Sequence, residues 1–186
     1  MKLLSIAIPC YNSQDYMAHC IESLLPGGED VEILIVNDGS KDDTAKIADE
    51  YAAKYPTIVK AIHKENGGHG SAVNTGIENA TGIYFKVVDS DDWVKEDAYL
   101  AILEKLRELT GGVDTLDLLI SNFVYEKEGE RRKKVMRYKH VLPEYRMFGW
   151  EDVGRFHVGQ YILMHSVIYN QLAEHRLRLL RRGDAD

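Results

Sequence analysis

The chain has 186 residues, 45% of them apolar, with 23 basic against 30 acidic side chains and a formal net charge of −7. That is enough for one ordinary domain with a real core, and the acidic balance excludes the strong basic bias on which nucleic-acid binders depend. Two cysteines without a metal-ligand pattern, Cys10 and Cys20, predict a reduced, cytoplasmic protein, and no apolar run is long enough for a secretory leader or a membrane span.

Taken in chain order, the apolar run from Leu3 to Pro9 predicts a buried parallel strand. Ser13 predicts an N-cap for a helix in which Met17, Cys20, Ile21 and Leu24 recur at helical spacing, and Pro26-Gly27-Gly28 stops it. A second strand is predicted from Val31 to Val36. Ser40 and Asp43 have capping-box spacing before a helix with the stripe Ala48, Tyr51, Ala52 and Tyr55. A third strand follows from Ile58 to Ile62, then the glycine turn ENGGHGS and a helix carrying Val73, Gly76, Ile77 and Ala80. The fourth strand, Ile83 to Val88, runs into Asp89-Ser90-Asp91-Asp92, and Tyr99, Ile102, Leu103 and Leu106 mark a helix closed by Gly111-Gly112. This alternation predicts an α/β protein with a mostly parallel, right-handed, doubly wound sheet flanked by helices.

The rest is less regular. A strand is predicted from Leu116 to Ile120, then hairpin strands from Phe123 to Tyr125 and Val135 to Tyr138 around the charged turn EKEGERRKK. A short helix from Trp150 to His157, a strand from Tyr161 to Tyr169 and a basic helical end complete the chain. With no repeat, linker or low-complexity segment, residues 1–186 predict a single domain.

In an open parallel sheet, ligands bind at the carboxyl ends of the strands. The first strand delivers Pro9, Tyr11 and Asn12 there, the second Asn37 and Asp38, and the fourth Asp89, Ser90, Asp91 and Asp92. The glycine turn (Asn66, Gly67, Gly68, Gly70) opens a helix N-terminus, whose free N–H groups favour an anion. Carboxylates alone repel a diphosphate, but with bound Mg²⁺ or Mn²⁺ they become an oxygen cradle for metal and phosphates together. On a strand end, residues two apart point the same way, so Asp89 and Asp91 are the candidate metal ligands. The plainer alternatives are a capping turn at Asp-Ser-Asp-Asp and, for NDGS, a turn in which Asp38 bonds its own backbone. Strand-end placement favours ligand roles for both. The glycine turn is neither a dinucleotide fingerprint nor a P-loop, since GxGxxG does not follow the first strand and no GK[ST] occurs.

The segments SIAIPCYN, VEILIVNDGSKDDT and ENGGHGSAVNTGIENATGIYFKVVDSDDWV, in this order and spacing, resemble family 2 glycosyltransferases with the GT-A fold, the Rossmann-like fold of nucleotide-diphospho-sugar transferases. The resemblance spans residues 1–110 strongly; residues 145–170 resemble, more loosely, bacterial members that modify surface polysaccharides. It implies a nucleotide-sugar donor, a UDP-sugar, with Pro9, Tyr11 and Asn12 lining the nucleotide pocket and Asp38 at the uracil or ribose. Asp89 would meet the ribose and metal-bound diphosphate, Asp91 would coordinate Mn²⁺ or Mg²⁺, and Gly68 and Ser90 complete the candidate set. The implied reaction is inverting: an acceptor hydroxyl, on a glycan or a lipid-linked glycan, is deprotonated and attacks the anomeric carbon while the nucleoside diphosphate leaves. Many members carry an arginine in the helix after the glycine turn; this chain has Ser71-Ala72-Val73-Asn74.

The resemblance places the catalytic base in an acidic motif after the Tyr161–Tyr169 strand. Glu151 and Asp152 precede that strand and read as first-turn acids of a helix, and only LAEHRLRLLRRGDAD follows it. The base is therefore unassigned, and the expected organisation is a nucleotide-sugar-binding half, 1–110, with a partial acceptor half, 111–186, shortened relative to its relatives. Two alternatives stay open. One is a catalytically silent or truncated nucleotide-sugar-binding module; the other is a nucleotidyltransferase, for which PCYNSQDY lacks the glycine-rich, basic loop. His63, His69, His140, His157, His165 and His175 form no metal-ligand spacing, and His69 reads equally as a phosphate contact or a solvent-exposed turn residue. Arg131 to Lys134 read as a solvated hairpin or a membrane-surface patch, and Arg176 to Arg182 as an exposed helix face or a contact to anionic lipid or acidic glycan. The partner expectations are peripheral association with the inner membrane face and self-association as a homo-oligomer through Leu172 to Leu180.

Overall fold

A computed structural model of the chain describes residues 1–110, 116–126, 133–156 and 166–171. Strands β1 (Leu4–Cys10) and β2 (Val31–Asp38) are buried along nearly their whole length, as their unbroken apolar runs require of strands covered on both faces. With β3 (Val59–Lys64) and β4 (Tyr84–Val87) they form a parallel sheet in the order β3-β2-β1-β4. The helices are α1 (Met17–Leu24), α2 (Thr44–Lys54), α3 (His69–Asn79) and α4 (Glu96–Leu109). The remaining strands are β5 (Leu118–Ile120), β6 (Phe123–Tyr125), β7 (Lys134–Met136) and β8 (Val167–Asn170).

The stripes of α1 and α4 turn inward as their spacing predicts, whereas in α2 only Ala48 of the predicted stripe is fully buried. Met17, Cys20, Ile21 and Leu24 of α1 are all buried, as are Tyr99, Leu103 and Leu106 of α4, and each large apolar side chain so buried contributes about 1.5–3 kcal/mol. Helix α3 lies against β1 and β2. Its Ile77 meets Ala7 and Phe85, with Val73, Ala80 and Val87 packed around them. Gly76 permits that approach, because a Cβ there would sit 2.5 Å from the Ala7 Cβ. Leu4, Ile6 and Ile8 alternate onto the opposite face of β1 and are equally buried. The one hydroxyl in that strand, Ser5, is satisfied: it donates to Glu32 and accepts the Gly82 N–H at 2.8 Å.

Two capping predictions are corrected. Helix α1 starts at Met17 with Tyr16 at its N-cap, and no side chain caps it. Ser13 is instead buried, donating its N–H to Thr44 Oγ1 at 2.7 Å, while its Oγ meets Ser90 Oγ at 2.9 Å. Helix α2 likewise lacks a side-chain cap. The Ser40 Oγ accepts the Asn12 N–H at 3.0 Å. Both hydroxyls tie loops together across the sheet edge rather than closing helix ends.

The chain forms two compact units, Met1–Asp117 with the chain from Tyr169, and Leu118–Ile168. In the first, β8 joins the sheet antiparallel to β4, pairing Asn170 with Tyr84 and Tyr169 with Phe85. Asn170 donates its N–H to Asp117 O and its Nδ2 to Leu116 O, each at 2.9 Å. The sheet is thus mixed but mostly parallel, as the α/β reading predicts. In the second unit β6 and β7 pair antiparallel, Phe123 with Met136, and the Tyr138 hydroxyl meets Ser166 Oγ at 3.0 Å. The predicted helix from Trp150 reduces to a 3₁₀ turn, Trp150–Asp152, because the Gly154 N–H turns away to Val141 O at 2.7 Å. The Gly111-Gly112 stop, the tip of the charged hairpin turn, residues 161–165 of the predicted strand and the basic C-terminal segment lie outside the described residues. Among the described residues, no helix is long and apolar enough to cross a membrane.

Candidate functional site

The carboxyl ends of β1, β2 and β4 and the glycine turn after β3 all belong to the first unit. Pro9 is buried as the penultimate residue of β1, and Tyr11, just beyond it, is 50% exposed. Between them Cys10 is buried, and burial pushes its thiol up to about 12, so it is an inert neutral group here. Asn12 holds a left-handed backbone with φ 51°, a conformation asparagine tolerates better than most residues. Its Oδ1 accepts the Lys41 N–H at 2.9 Å. Together with the contacts of Ser13 and Ser40, this bond fastens the loop after β1 to the loop after β2.

Asp38 closes β2 and is 3% exposed. Its Oδ1 accepts from Lys64 Nζ at 2.6 Å and the Gly67 N–H at 3.0 Å, and its Oδ2 from the Gly68 N–H at 2.7 Å. Asn66 Nδ2 adds a bond to the Asp38 carbonyl at 3.0 Å. Burial works to raise the carboxyl's pKa, but the Lys64 ammonium and the two glycine N–H groups outweigh it and hold the group below its ordinary 3.8. The two N–H groups at the mouth of the glycine turn are therefore given to an anion the protein itself supplies. Lys64 went unnoticed in the sequence; a lysine at the end of a strand, directly before the turn, is its only signal.

Helix α3 follows at once. Gly68, its N-cap, has φ 84°, a left-handed value open to glycine at little cost. This sets His69, the first helical residue, with Nε2 2.9 Å from Asp89 Oδ1. His69 is solvent-exposed, as one of its two readings has it, and its ring also meets Asp89, the first aspartate after β4.

Asp89 to Asp92 do not continue the strand. Strand β4 ends at Val87, and the Asp92 N–H closes a turn onto Asp89 O at 2.9 Å, so the two-residue alternation of an extended chain does not govern Asp89 and Asp91. Asp89 is partly exposed, Ser90 is buried against Ser13, and Asp91 is exposed. The Cys20 thiol donates to Asp89 O from beneath at 3.6 Å. Lys86, three residues earlier in β4, is half-buried. Burial brings its ammonium down to about 8, against the pull of Asp92 and Asp89, which favours the charged form. The signal for it was a single lysine inside the apolar strand IYFKVV.

Among the described residues, no group of three His, Cys, Asp or Glu side chains gathers as a metal cage. Asp89 and Asp91 place two hard carboxylates on one turn instead. That donor set fits a cation that takes one or two carboxylates and completes its shell with phosphate oxygens and water. In the second unit, Asp152 accepts the Gly149 N–H at 3.4 Å and pairs with Arg146 at 3.5 Å, the behaviour of a first-turn acid. His157, His165 and His175 and the arginines from Arg176 to Arg182 lie outside the described residues.

This arrangement has relatives. The sequence profile of glycosyl transferase family 2 matches residues 5–172. EpsJ of Bacillus subtilis, described as an uncharacterized glycosyltransferase, is 38% identical over 136 residues, covering 73% of this chain and 38% of EpsJ. The chondroitin synthase of Escherichia coli is 41% identical over 109 residues, covering 58% of this chain and 16% of the synthase. The crystal structure of S. aureus TarS 1-349 in complex with UDP-GlcNAc superposes with a TM-score of 0.54 at 28% identity, covering 64% of this chain and 34% of TarS. The chain thus spans well under half the length of each of these relatives.

Proposed function

The chain belongs to glycosyl transferase family 2 and has the GT-A fold, and from that premise we propose that it transfers a sugar from a nucleotide-sugar, a UDP-sugar, to a glycan or lipid-linked acceptor, with inversion at the anomeric carbon. The observation that carries this reading is the bonded link from Asp38 through the glycine turn to Asp89. It joins three separately encoded strand-end motifs into one cradle at the sheet edge where ligands bind. The UDP-GlcNAc complex of TarS and the glycan in the name of chondroitin synthase support this reading.

In this proposal residues 1–186 form one GT-A domain, with 1–110 as its nucleotide-sugar-binding half. Pro9, Tyr11 and Asn12 wall the nucleotide, and the exposed Tyr11 ring offers a flat face to a base. Asp38 meets the uracil or ribose, and through the turn it holds it places Gly68 beside the donor. Ser90 fixes the floor of the DxD turn, and Asp89 and Asp91 hold Mn²⁺ or Mg²⁺. When bound, that cation neutralises charge growing on the leaving diphosphate. The protein's own part is to seat the diphosphate and hold the anomeric carbon for in-line attack. Isothermal calorimetry of UDP with Mn²⁺ and with EDTA tests the metal reading. Metal should tighten UDP binding, and Asp91→Asn should remove most of that gain. Full metal-dependent binding by Asp91→Asn would show that Asp91 is not a ligand.

A further inference from the structure

We propose that His69 is a positioning residue for the metal site: its imidazole orients the Asp89 carboxylate, and the Asp38–Lys64 pair in turn fixes His69. This rests on the metal reading of Asp89 and Asp91. An ionised carboxylate can only accept, so the 2.9 Å contact to Asp89 Oδ1 requires the proton on His69 Nε2. One Asp89 oxygen is then engaged and the other, Oδ2, is left to the cation. Ligating carboxylates are held in this way by outer partners, and losing such a partner costs about 10–100-fold in metal affinity.

The geometry beneath His69 shows why the imidazole can do this work although its side chain is 59% exposed. A turn residue on a mobile loop would orient nothing. Here the two residues before it are pinned by Asp38 through the Gly67 and Gly68 N–H groups, and Lys64 is drawn under the turn by Asp38 Oδ1 and the Glu65 carbonyl, each at 2.6 Å. The His69 backbone begins α3, whose Ala72 N–H already bonds to Gly68 O at 3.1 Å. On the other side, Asp89 is braced by Cys20 and by the Asp92 N–H at its carbonyl. Both ends of the imidazole bridge are anchored, so its length sets the direction of the carboxylate. Helix α3 carries no arginine, and the histidine at its head ties the turn to the metal ligand instead.

The test is UDP binding with a Mn²⁺ titration, followed by calorimetry and by the electron paramagnetic resonance signal of free Mn²⁺, at one fixed pH. His69→Ala should fold normally and weaken Mn²⁺ in the ternary complex by about 10–100-fold, with UDP binding in EDTA unchanged. His69→Gln, whose Nε2 amide can donate in the same place, should recover most of the loss. Wild-type Mn²⁺ affinity in His69→Ala would overturn the inference alone. Absence of any metal effect in the wild-type chain would overturn both the inference and the metal reading beneath it. Loss in His69→Ala without recovery in His69→Gln would also overturn it, since the hydrogen bond would then not be the cause.

Discussion

Replacing Asp38 by alanine would leave the Lys64 ammonium and two N–H groups of the glycine turn without their acceptor. Stripping a buried charged acceptor from its donors costs about 1–3 kcal/mol, and urea unfolding of Asp38→Ala should show a loss of that order. The pH dependence follows in sign. The Asp38 carboxyl titrates below its ordinary 3.8, so it contributes stability that is fully present above that value and vanishes as pH falls through the folded pKa. The stability gap between wild type and Asp38→Asn should therefore be open near neutral pH and close on acidification below about 3.8. A gap of constant size across that range would mean the charge of Asp38 does not hold the turn. None of this is visible in NDGS itself. The local sequence offers a turn or a ligand and gives no hint of a carboxylate bonded to residues 26 to 30 positions away.

Among the elements, the α3–β1 seam is closely packed and gives a sharp expectation. Gly76→Ala pushes a Cβ to 2.5 Å from that of Ala7, and overpacking of this kind costs about 1–3 kcal/mol. Ala7→Gly should relieve it, so a double-mutant cycle by urea unfolding should return a favourable coupling; additive losses would place the strain elsewhere. The elements themselves are legible in sequence because each is written in a local period. Met17, Cys20, Ile21 and Leu24 mark α1 by spacing alone, and the runs of β1 and β2 mark buried parallel strands. The direction of β8 is not written locally: nothing in SVIYN says that it runs antiparallel to β4. Nor are the loop hydroxyls. Ser13 has the residue type and place of an N-cap, yet it is spent on Thr44 and Ser90, partners that strand order alone brings near. The candidate site divides in the same way. Its residues are readable as motifs, while the bond from His69 to Asp89 depends on α3 and the end of β4 meeting at one edge.

For the molecule as a whole, the formal charge of −7 opposes any diphosphate. In EDTA, UDP binding should tighten as salt rises from about 0.01 to 0.15 M, because the Debye length falls from about 30 to about 8 Å and screens that repulsion. With Mn²⁺ the same titration should be flatter. Weakening with salt in EDTA would instead show that the lysines near the site, Lys41, Lys64 and Lys86, outweigh the overall field. A different consequence follows from where the chain leaves the first unit and where it comes back. Leu116 and Asp117 precede the departure, Asn170 follows the return, and the two are clasped by hydrogen bonds of 2.9 Å. The chain thus leaves the first unit and re-enters it at neighbouring points. Entry and exit points this close are where a segment can be lengthened, shortened or replaced without displacing the strands that flank it.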